Sequence, residues 1–506
     1  MAERTIKGRM TSMTGEFMAV VLLLQPLLDV LSFFLLDTGA AAVTTALRLG
    51  MLVIVSLYGF MISDRKQLYA AGYAVVAGFW LLHMLNCWRT GYVGPVGDTA
   101  EYLKLIQFPL WTLAFVTFFQ KREELDVEII GILTVNVAVI LLVAALSFVF
   151  GPRGYTYDFP ERGLQIGFVG WFAVPNAQSA ILCLLAPAAL LWGLRTERMR
   201  VFCPCCVVSM GLLYLTGTRL TFYTAVLLTV AFTALILFCG KPRVFCIPLL
   251  IVLVVLLACK GISPMEQRQK VTANSFSVYQ EKIDGIMGED KDFTYQPGEK
   301  ISPAVLEKIK TVYEQVYGGT GVYNEPLLGD LINQFGLGAV MEEMKYTIDP
   351  GVLNNSRSRK LTAMHMVWER QDFLTHLLGM EYADSQVGAH NYDPENDFPA
   401  LLYKVGYLGT ALYACFILGI LLYGGTAFIR RFPSLLTVEF AAAVIMFVLA
   451  LGSAQFSGQV LRRPNVTVYA SLAAALLYRQ AKEAPPRARL RSGHKRNPAV
   501  YLKKIG

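Results

Sequence analysis

The sequence predicts an all-α polytopic membrane protein of about twelve transmembrane helices, interrupted once by a large, partly helical exocytoplasmic loop between the ninth and tenth. Three observations predict it. Of the 506 residues, 55% are hydrophobic and only 16% charged, a balance that a string of soluble domains does not have. Apolar stretches close to the roughly 20 residues that a helix needs to cross a bilayer recur along the chain. Lys and Arg concentrate in every second connection between them.

The stretches run from Phe17 to Leu36, Val43 to Ile62, Ala70 to Cys87, Leu103 to Phe119, Ile129 to Phe150 and Ala177 to Leu194. They continue from Val201 to Thr216, Leu220 to Cys239 and Val244 to Cys259, and after the loop from Leu401 to Tyr423, Leu436 to Phe456 and Val466 to Tyr478. The first is too long for a signal-peptide core and no small-residue cleavage site follows it, so it reads as a retained helix that leaves the N-terminus inside. The segments then assigned to the cytoplasm carry 23 of the 45 Lys and Arg, while the short outer connections hold few, chiefly Arg89, Arg153, Arg162, Arg462 and Arg463.

This reading predicts a multi-pass protein of the cytoplasmic (inner) membrane with both termini cytoplasmic. Its parts are a cytoplasmic N-terminus (1–13), helices one to nine (14–260), an exocytoplasmic loop subdomain (261–398), helices ten to twelve (399–478) and a basic cytoplasmic tail (479–506). The net charge of +8 is mostly the inward bias, so it is no reason to expect a nucleic-acid partner. The tail from Arg487 to Lys504 is expected to lie on the anionic bilayer surface or stay disordered.

The loop holds 21 Asp and Glu against 12 Lys and Arg and none of the long apolar runs, which marks it as an exported soluble subdomain. Ser302 and Pro303 read as the cap and first turn of a helix that ends at Gly318 and Gly319. A second helix is expected from Glu325 towards Tyr346, weakened by Gly329, Gly336 and Gly338, and a third from about Ser358 to Leu378. The charged, Gly-containing stretch from Ile283 to Gln296 is expected to be a mobile loop. All nine cysteines lie in or beside apolar stretches, so a disulfide framework in the loop is excluded. The trio Cys203, Cys205 and Cys206 has no His nearby and reads as membrane packing rather than a metal site, and no metal ligand or cofactor is predicted.

Charged residues within apolar stretches are costly and usually face a cavity or a partner. Asp29, Arg48, His83, Lys104 and Glu439 are such residues. Asp29 and Arg48 can pair between the first two helices, or Arg48 can serve a substrate. His83 and Lys104 lie near the outer ends of their helices, where snorkelling to the interface suffices. Arg219, in the turn Leu215-Thr-Gly-Thr-Arg, and Arg359, beside Arg357, stand where an outer-face site would need cations, since a guanidinium grips phosphate oxygens bidentately.

Four separated pieces resemble the O-antigen ligase and polymerase superfamily of membrane glycosyltransferases, in particular its exopolysaccharide or cell-wall-glycan polymerase-like branch. They are Gly167-Phe-Val-Gly-Trp-Phe-Ala-Val-Pro-Asn176; the Thr-Gly-Thr-Arg219 turn, similar to the family's Thr-Gly-Ser-Arg; Leu378-Gly-Met-Glu-Tyr382, similar to its Gly-x-Gly-Tyr; and Glu395-Asn-Asp-Phe398 leading into Leu401-Leu-Tyr-Lys-Val-Gly-Tyr-Leu-Gly409. Their order, and the position of the loop before the tenth helix, extend the resemblance over about residues 15 to 480.

The resemblance implies a C-type glycosyltransferase fold and a metal-independent polymerisation or ligation of undecaprenyl-diphosphate-linked oligosaccharides in surface polysaccharide biosynthesis. It implies a glycan or surface acceptor, and a flippase and a chain-length regulator as neighbours. Arg219 and Arg359, with Arg357 and Arg48, are the candidates to hold the donor diphosphate. Ligases carry a His-Asn pair eleven residues before the first Gly of Gly-x-x-Gly, and counting back from Gly406 gives Glu395, with His390-Asn391 five residues earlier. Glu395 is therefore the first candidate base, Asp397 its alternative or orienting partner, and His390 the second candidate. Acids at 395 and 397 also suit a plain helix-capping role. A transporter or flippase is the alternative reading of the buried charges, but carriers usually have two similar halves and short outer loops, and neither is visible here.

Overall fold

The computed structural model describes residues 2–40, 42–159, 163–319 and 327–483, so Arg162, Glu325 and the tail beyond Glu483 lie outside the described residues. Among the described residues 78% are helical, and the chain is an all-α polytopic membrane protein. A short helix α1 (Ala2–Ser12) precedes α2 (Thr14–Leu35), α3 (Ala42–Ile62), α4 (Lys66–Thr90), α5 (Pro95–Leu105) and α6 (Gln107–Lys121). Then come α7 (Leu125–Phe150), the hairpin β1 (Tyr157–Phe159) and β2 (Leu164–Ile166), α8 (Pro175–Arg195), α9 (Met199–Thr216), α10 (Arg219–Phe238) and α11 (Cys246–Ala258).

Helices α12 (Pro264–Met287), α13 (Pro303–Thr311), α14 (Gly329–Phe335), α15 (Leu337–Glu343), α16 (Pro350–Leu353), α17 (Ser356–Trp368) and α18 (Phe373–Leu378) follow. The chain then forms a small hairpin of β3 (Gln386–Val387) and β4 (His390–Asn391), and closes with α19 (Asp397–Arg430), α20 (Phe432–Leu435), α21 (Val438–Phe456) and α22 (Pro464–Glu483).

Ten spans among the described residues are long and apolar enough to cross a membrane, with α5 and α6 counted as one from Pro95 to Lys121. The expected ninth and twelfth spans are helices too, but neither reaches that standard. The ninth is short, Arg243–Ala258. The twelfth, α22, is buried at every position from Pro464 to Leu477, and a helix screened from lipid by its neighbours needs no apolar outer face. Helix α8 is likewise buried without a break from Ala177 to Leu191 and packs on α7, α9, α10, α21 and α22. Helices α10 and α11 instead expose Leu227, Val230, Ile251 and Val254, the residue types that face lipid.

Packing divides the chain into two compact units. The first comprises Met1–Ala74, Lys104–Glu266 and the chain from Cys415 onward. At one end of its bundle the charges pair: Lys7 with Asp64 (2.8 Å), Arg122 with Glu128 (2.7 Å), and Arg195 with both Asp126 (3.7 Å) and Glu439 (3.6 Å). Glu439, one of the charges expected inside a span, is thus at a helix start and ion-paired.

The second unit comprises Val75–Leu103 and Gln267–Ala414. It has its own apolar core, in which Ile283, Met287, Ile309, Tyr313, Leu331, Leu353 and Val387 are wholly enclosed. Ser302 caps α13 as expected, its side chain accepting from Val305 N, and the helix continues as a π-turn from Val312 to Val316. Three expectations need correction. The stretch from Ile283 is helical through Met287 and turns once more to Asp290, because Tyr279, Ile283 and Met287, spaced by four, are buried while the charges between them face out. The second helix is two, α14 and α15, divided at Gly336 with φ +88°. The third is also two, α17 and α18, since Asp372 starts a new helix by accepting from Thr375 N (2.9 Å).

Helix α19 is kinked at Gly406, whose φ of +62° no helix interior accommodates. A Cβ there would lie 2.5 Å from the Leu377 carbonyl, and one at Gly379 (φ +97°) would lie 2.2 Å from the Lys404 oxygen. The two glycines let these backbones touch. Gly379→Ala is expected to destabilise the second unit by at least ~2 kcal/mol, from strain plus collision with backbone that cannot yield, read as a fall in thermal unfolding temperature in detergent.

Candidate functional site

Arg48 and Arg219 belong to the first unit. The turn before Arg219 is built by residue type: α9 ends at Thr216, Gly217 adopts φ +73°, and Thr218 caps α10 by accepting from Thr221 N (3.2 Å). A Cβ on Gly217 would be 2.6 Å from Pro264. The Gly167–Asn176 motif docks on this turn. Phe168 N donates to Leu215 O (2.8 Å), Thr156 Oγ1 to Thr216 O (2.5 Å), and a Cβ on Gly167 would meet Thr216 O at 2.5 Å. Two motifs some fifty residues apart thus form one rigid corner. It presents Arg219 exposed at the first position of α10, with no pairing partner among the described residues.

Arg48 is enclosed instead. Its Nη2 donates to Asp29 Oδ1 (2.9 Å), which also accepts from Asn465 Nδ2 (2.8 Å), so the expected pair exists and α22 completes it. Arg48→Ala is expected to cost about 3–5 kcal/mol, because it strands a buried carboxylate; Asp29→Asn in the same protein should recover most of that, measured by thermal unfolding of both variants.

The other candidates belong to the second unit. Arg357 Nε donates to Glu395 Oε2 (2.9 Å) and Lys360 Nζ to Glu395 Oε1 (3.2 Å). Burial works against the Glu395 charge, but the bond from Arg357 and the charges of Lys360 and Arg357 outweigh it and hold the carboxyl below the usual range, which weakens it as a base. Glu395→Gln is expected to cost about 1–3 kcal/mol at neutral pH. A depressed pKa stabilises the fold above the unfolded value of about 4.3 and loses that contribution as pH falls through the folded value, so the gap in unfolding temperature between wild type and variant should narrow as pH falls below about 4.3 and close once pH is below the folded value.

Arg359 is buried, with Nη1 on the Leu353 carbonyl (3.5 Å), and Asp397 is buried at the start of α19. His390 is exposed on β4, and its Nδ1 donates to Asp330 Oδ2 (2.6 Å). The same hairpin is anchored by Asn391 Nδ2 on the Tyr382 hydroxyl (3.1 Å), and just beyond it Asp393 pairs with Lys404 (2.9 Å), which also reaches Glu101 (3.0 Å). The Leu378–Tyr382 motif supplies the footing: Glu381 accepts the backbone N–H groups of Val93 and Gly94, and Asp98 accepts that of Tyr382.

Sequence reasoning missed Asp330, Asp98 and the place of His83. His83 does not snorkel: it is buried, between Leu378 O (2.8 Å) and Asp98 Oδ2 (3.0 Å). A partner sixty residues from His390 leaves no periodic trace, and an Asp in a helix's first turn reads as a dipole partner.

Apolar spans long enough to cross a membrane, together with a unit that has its own apolar core, define a polytopic membrane protein. The chain belongs to the family described as O-antigen ligase like membrane protein, whose model matches residues 11–483. That membership supports a role in joining glycans at a membrane, with a lipid-linked glycan donor and a glycan acceptor. No curated protein matches the chain.

Proposed function

We propose that the protein polymerises or ligates undecaprenyl-diphosphate-linked oligosaccharides on the outer face of the cytoplasmic membrane. The observation that carries this reading is the exposed His390–Asp330 pair. With Nδ1–H committed to Asp330, the Nε2 lone pair is free to take a proton, which makes His390 a better base than the ion-paired Glu395. An acceptor sugar hydroxyl gives its proton to Nε2 while its oxygen bonds to the anomeric carbon; the bond from that carbon to the phosphate oxygen breaks, and the electron pair leaves on the diphosphate.

Arg219, exposed on a rigid corner, is the residue suited to receive that charge, as fixed cations stabilise a leaving diphosphate without a metal. Arg357 and Lys360, set by Glu395, offer further positive charge on the loop unit. Arg359 and Asp397 act from inside that unit as supports, and Arg48 does so between α2 and α3. A flippase and a chain-length regulator are the partners such a polymerase would work beside. Cells lacking the protein are expected to accumulate single lipid-linked units and lose the polymer; unchanged polymer would contradict the reading.

A further inference from the structure

The strongest unused chemistry lies in the second unit, where His83, Cys87 and Asp98 converge with all three side chains buried. His83 and Cys87 are one helical turn apart on α4, and Asp98 comes from the first turn of α5. Their ligand atoms lie within 4.8 Å of one another, with Nε2 3.0 Å from Asp98 Oδ2 and 3.4 Å from Cys87 Sγ. We propose that these three residues form a binding site for a zinc-like divalent ion.

Hydrogen-bond bookkeeping supports the assignment. A carbonyl only accepts, so the contact with Leu378 O places the proton on His83 Nδ1 and turns the Nε2 lone pair towards a carboxylate oxygen, which is itself an acceptor. A cation between these two facing acceptors relieves them; Asp98 Oδ2 also accepts from the Tyr92 hydroxyl (2.7 Å). A proton would serve the His–Asp pair alone, whereas a metal also uses the sulfur. Ligand distances of about 2.0–2.3 Å around a tetrahedral ion put neighbouring donors roughly 3.3–3.6 Å apart, and the two separations from His83 Nε2 are 3.0 and 3.4 Å. A ligating imidazole typically donates its other N–H to a carbonyl, as here. Two anionic ligands, a thiolate and a carboxylate, neutralise a divalent charge, and the mixed N, S, O set suits zinc over magnesium or calcium.

The ion would fasten α4 and α5 to the segment that carries the hairpin. Leu378 O is held by His83, Tyr382 N is held by Asp98, and the Tyr382 hydroxyl accepts from Asn391 beside His390. The importance of that fastening for transfer rests on the reading of His390 as base. The metal assignment does not.

The test is elemental analysis of the full chain, purified in detergent without chelator from zinc-supplemented cells. About one zinc per chain is expected in the wild type, and at least a tenfold loss in both Cys87→Ser and Asp98→Asn. Circular dichroism and elution volume show whether each variant remains folded. A wild type with under a tenth of an ion per chain overturns the proposal, as do folded variants that keep the wild-type content. Because the readout is metal content, its failure leaves the transfer reading untouched, and a loaded protein without transferase activity would separate the two in the other direction.

Discussion

Replacing His390 with alanine is expected to lower glycan transfer by about 10²–10⁴-fold, the usual contribution of a positioned general base. The fold should hardly notice, because His390 is exposed on a two-residue strand and its pairing with Asp330 lies at the surface of the loop unit. Substitutions at such positions usually change stability by no more than ~0.5 kcal/mol. Asp330→Asn should lose most of the same activity by a different route. An amide can present its NH₂ group to Nδ1, which favours the tautomer with the proton on Nε2 and removes the lone pair. Glu395→Gln should slow transfer much less than His390→Ala, since its carboxylate is tied to Arg357 and Lys360. The measurement is the initial rate of donor consumption by each purified variant; a His390→Ala rate within threefold of wild type would remove the base from its assigned role.

Arg219→Ala is expected to reduce transfer by about 10²–10³-fold, the loss found when one preorganised charge-stabilising group is taken from an active site. Its stability should be near that of the wild type, because no described residue pairs with Arg219 and the corner beneath it is held by Gly217, Thr218 and Gly167. Arg219→Lys should restore only part of the rate. An ammonium keeps the charge but lacks the planar fork that meets two phosphate oxygens at once. In cells both variants should leave single lipid-linked units unextended, at normal protein level. Polymer of normal length and amount in Arg219→Ala would place the diphosphate elsewhere.

Much of the fold was legible because the bilayer imposes a strong pattern: an apolar stretch of the right length has few alternatives to a helix. The pattern weakens where protein replaces lipid. Helix α22, buried from Pro464 to Leu477, carries Asn465, Thr467 and Ser471 at positions that a lipid-facing span would leave apolar. In the loop, Ser302-Pro303 marked a real helix start because a cap is a local device. The continuation of α12 through Met287 was hidden because its charged face dominates the composition, and only the burial of Ile283 and Met287 explains it. The motif glycines were visible as glycines. Their purpose was not, since Gly379 and Gly406 matter through each other's backbone.

The candidate residues divide in the same way. Asp29 and Arg48, on adjacent helices, were readable as a pair, whereas their third partner Asn465 lies more than four hundred residues on. Counting back from Gly406 gives Glu395 and leaves His390 five residues earlier, and a count along the chain does not register what either side chain meets. Spacing could not reveal that Glu395 is held by two cations or that His390 is oriented by Asp330.

The most direct measurement is turnover by the purified protein in detergent, supplied with a lipid-diphosphate-linked oligosaccharide as both donor and acceptor and with no second compartment. The account predicts release of undecaprenyl diphosphate together with lengthened glycan, at a rate lowered at least a hundredfold in His390→Ala and Arg219→Ala. Donor left intact by folded wild-type protein, or consumed equally fast by those two variants, would contradict it.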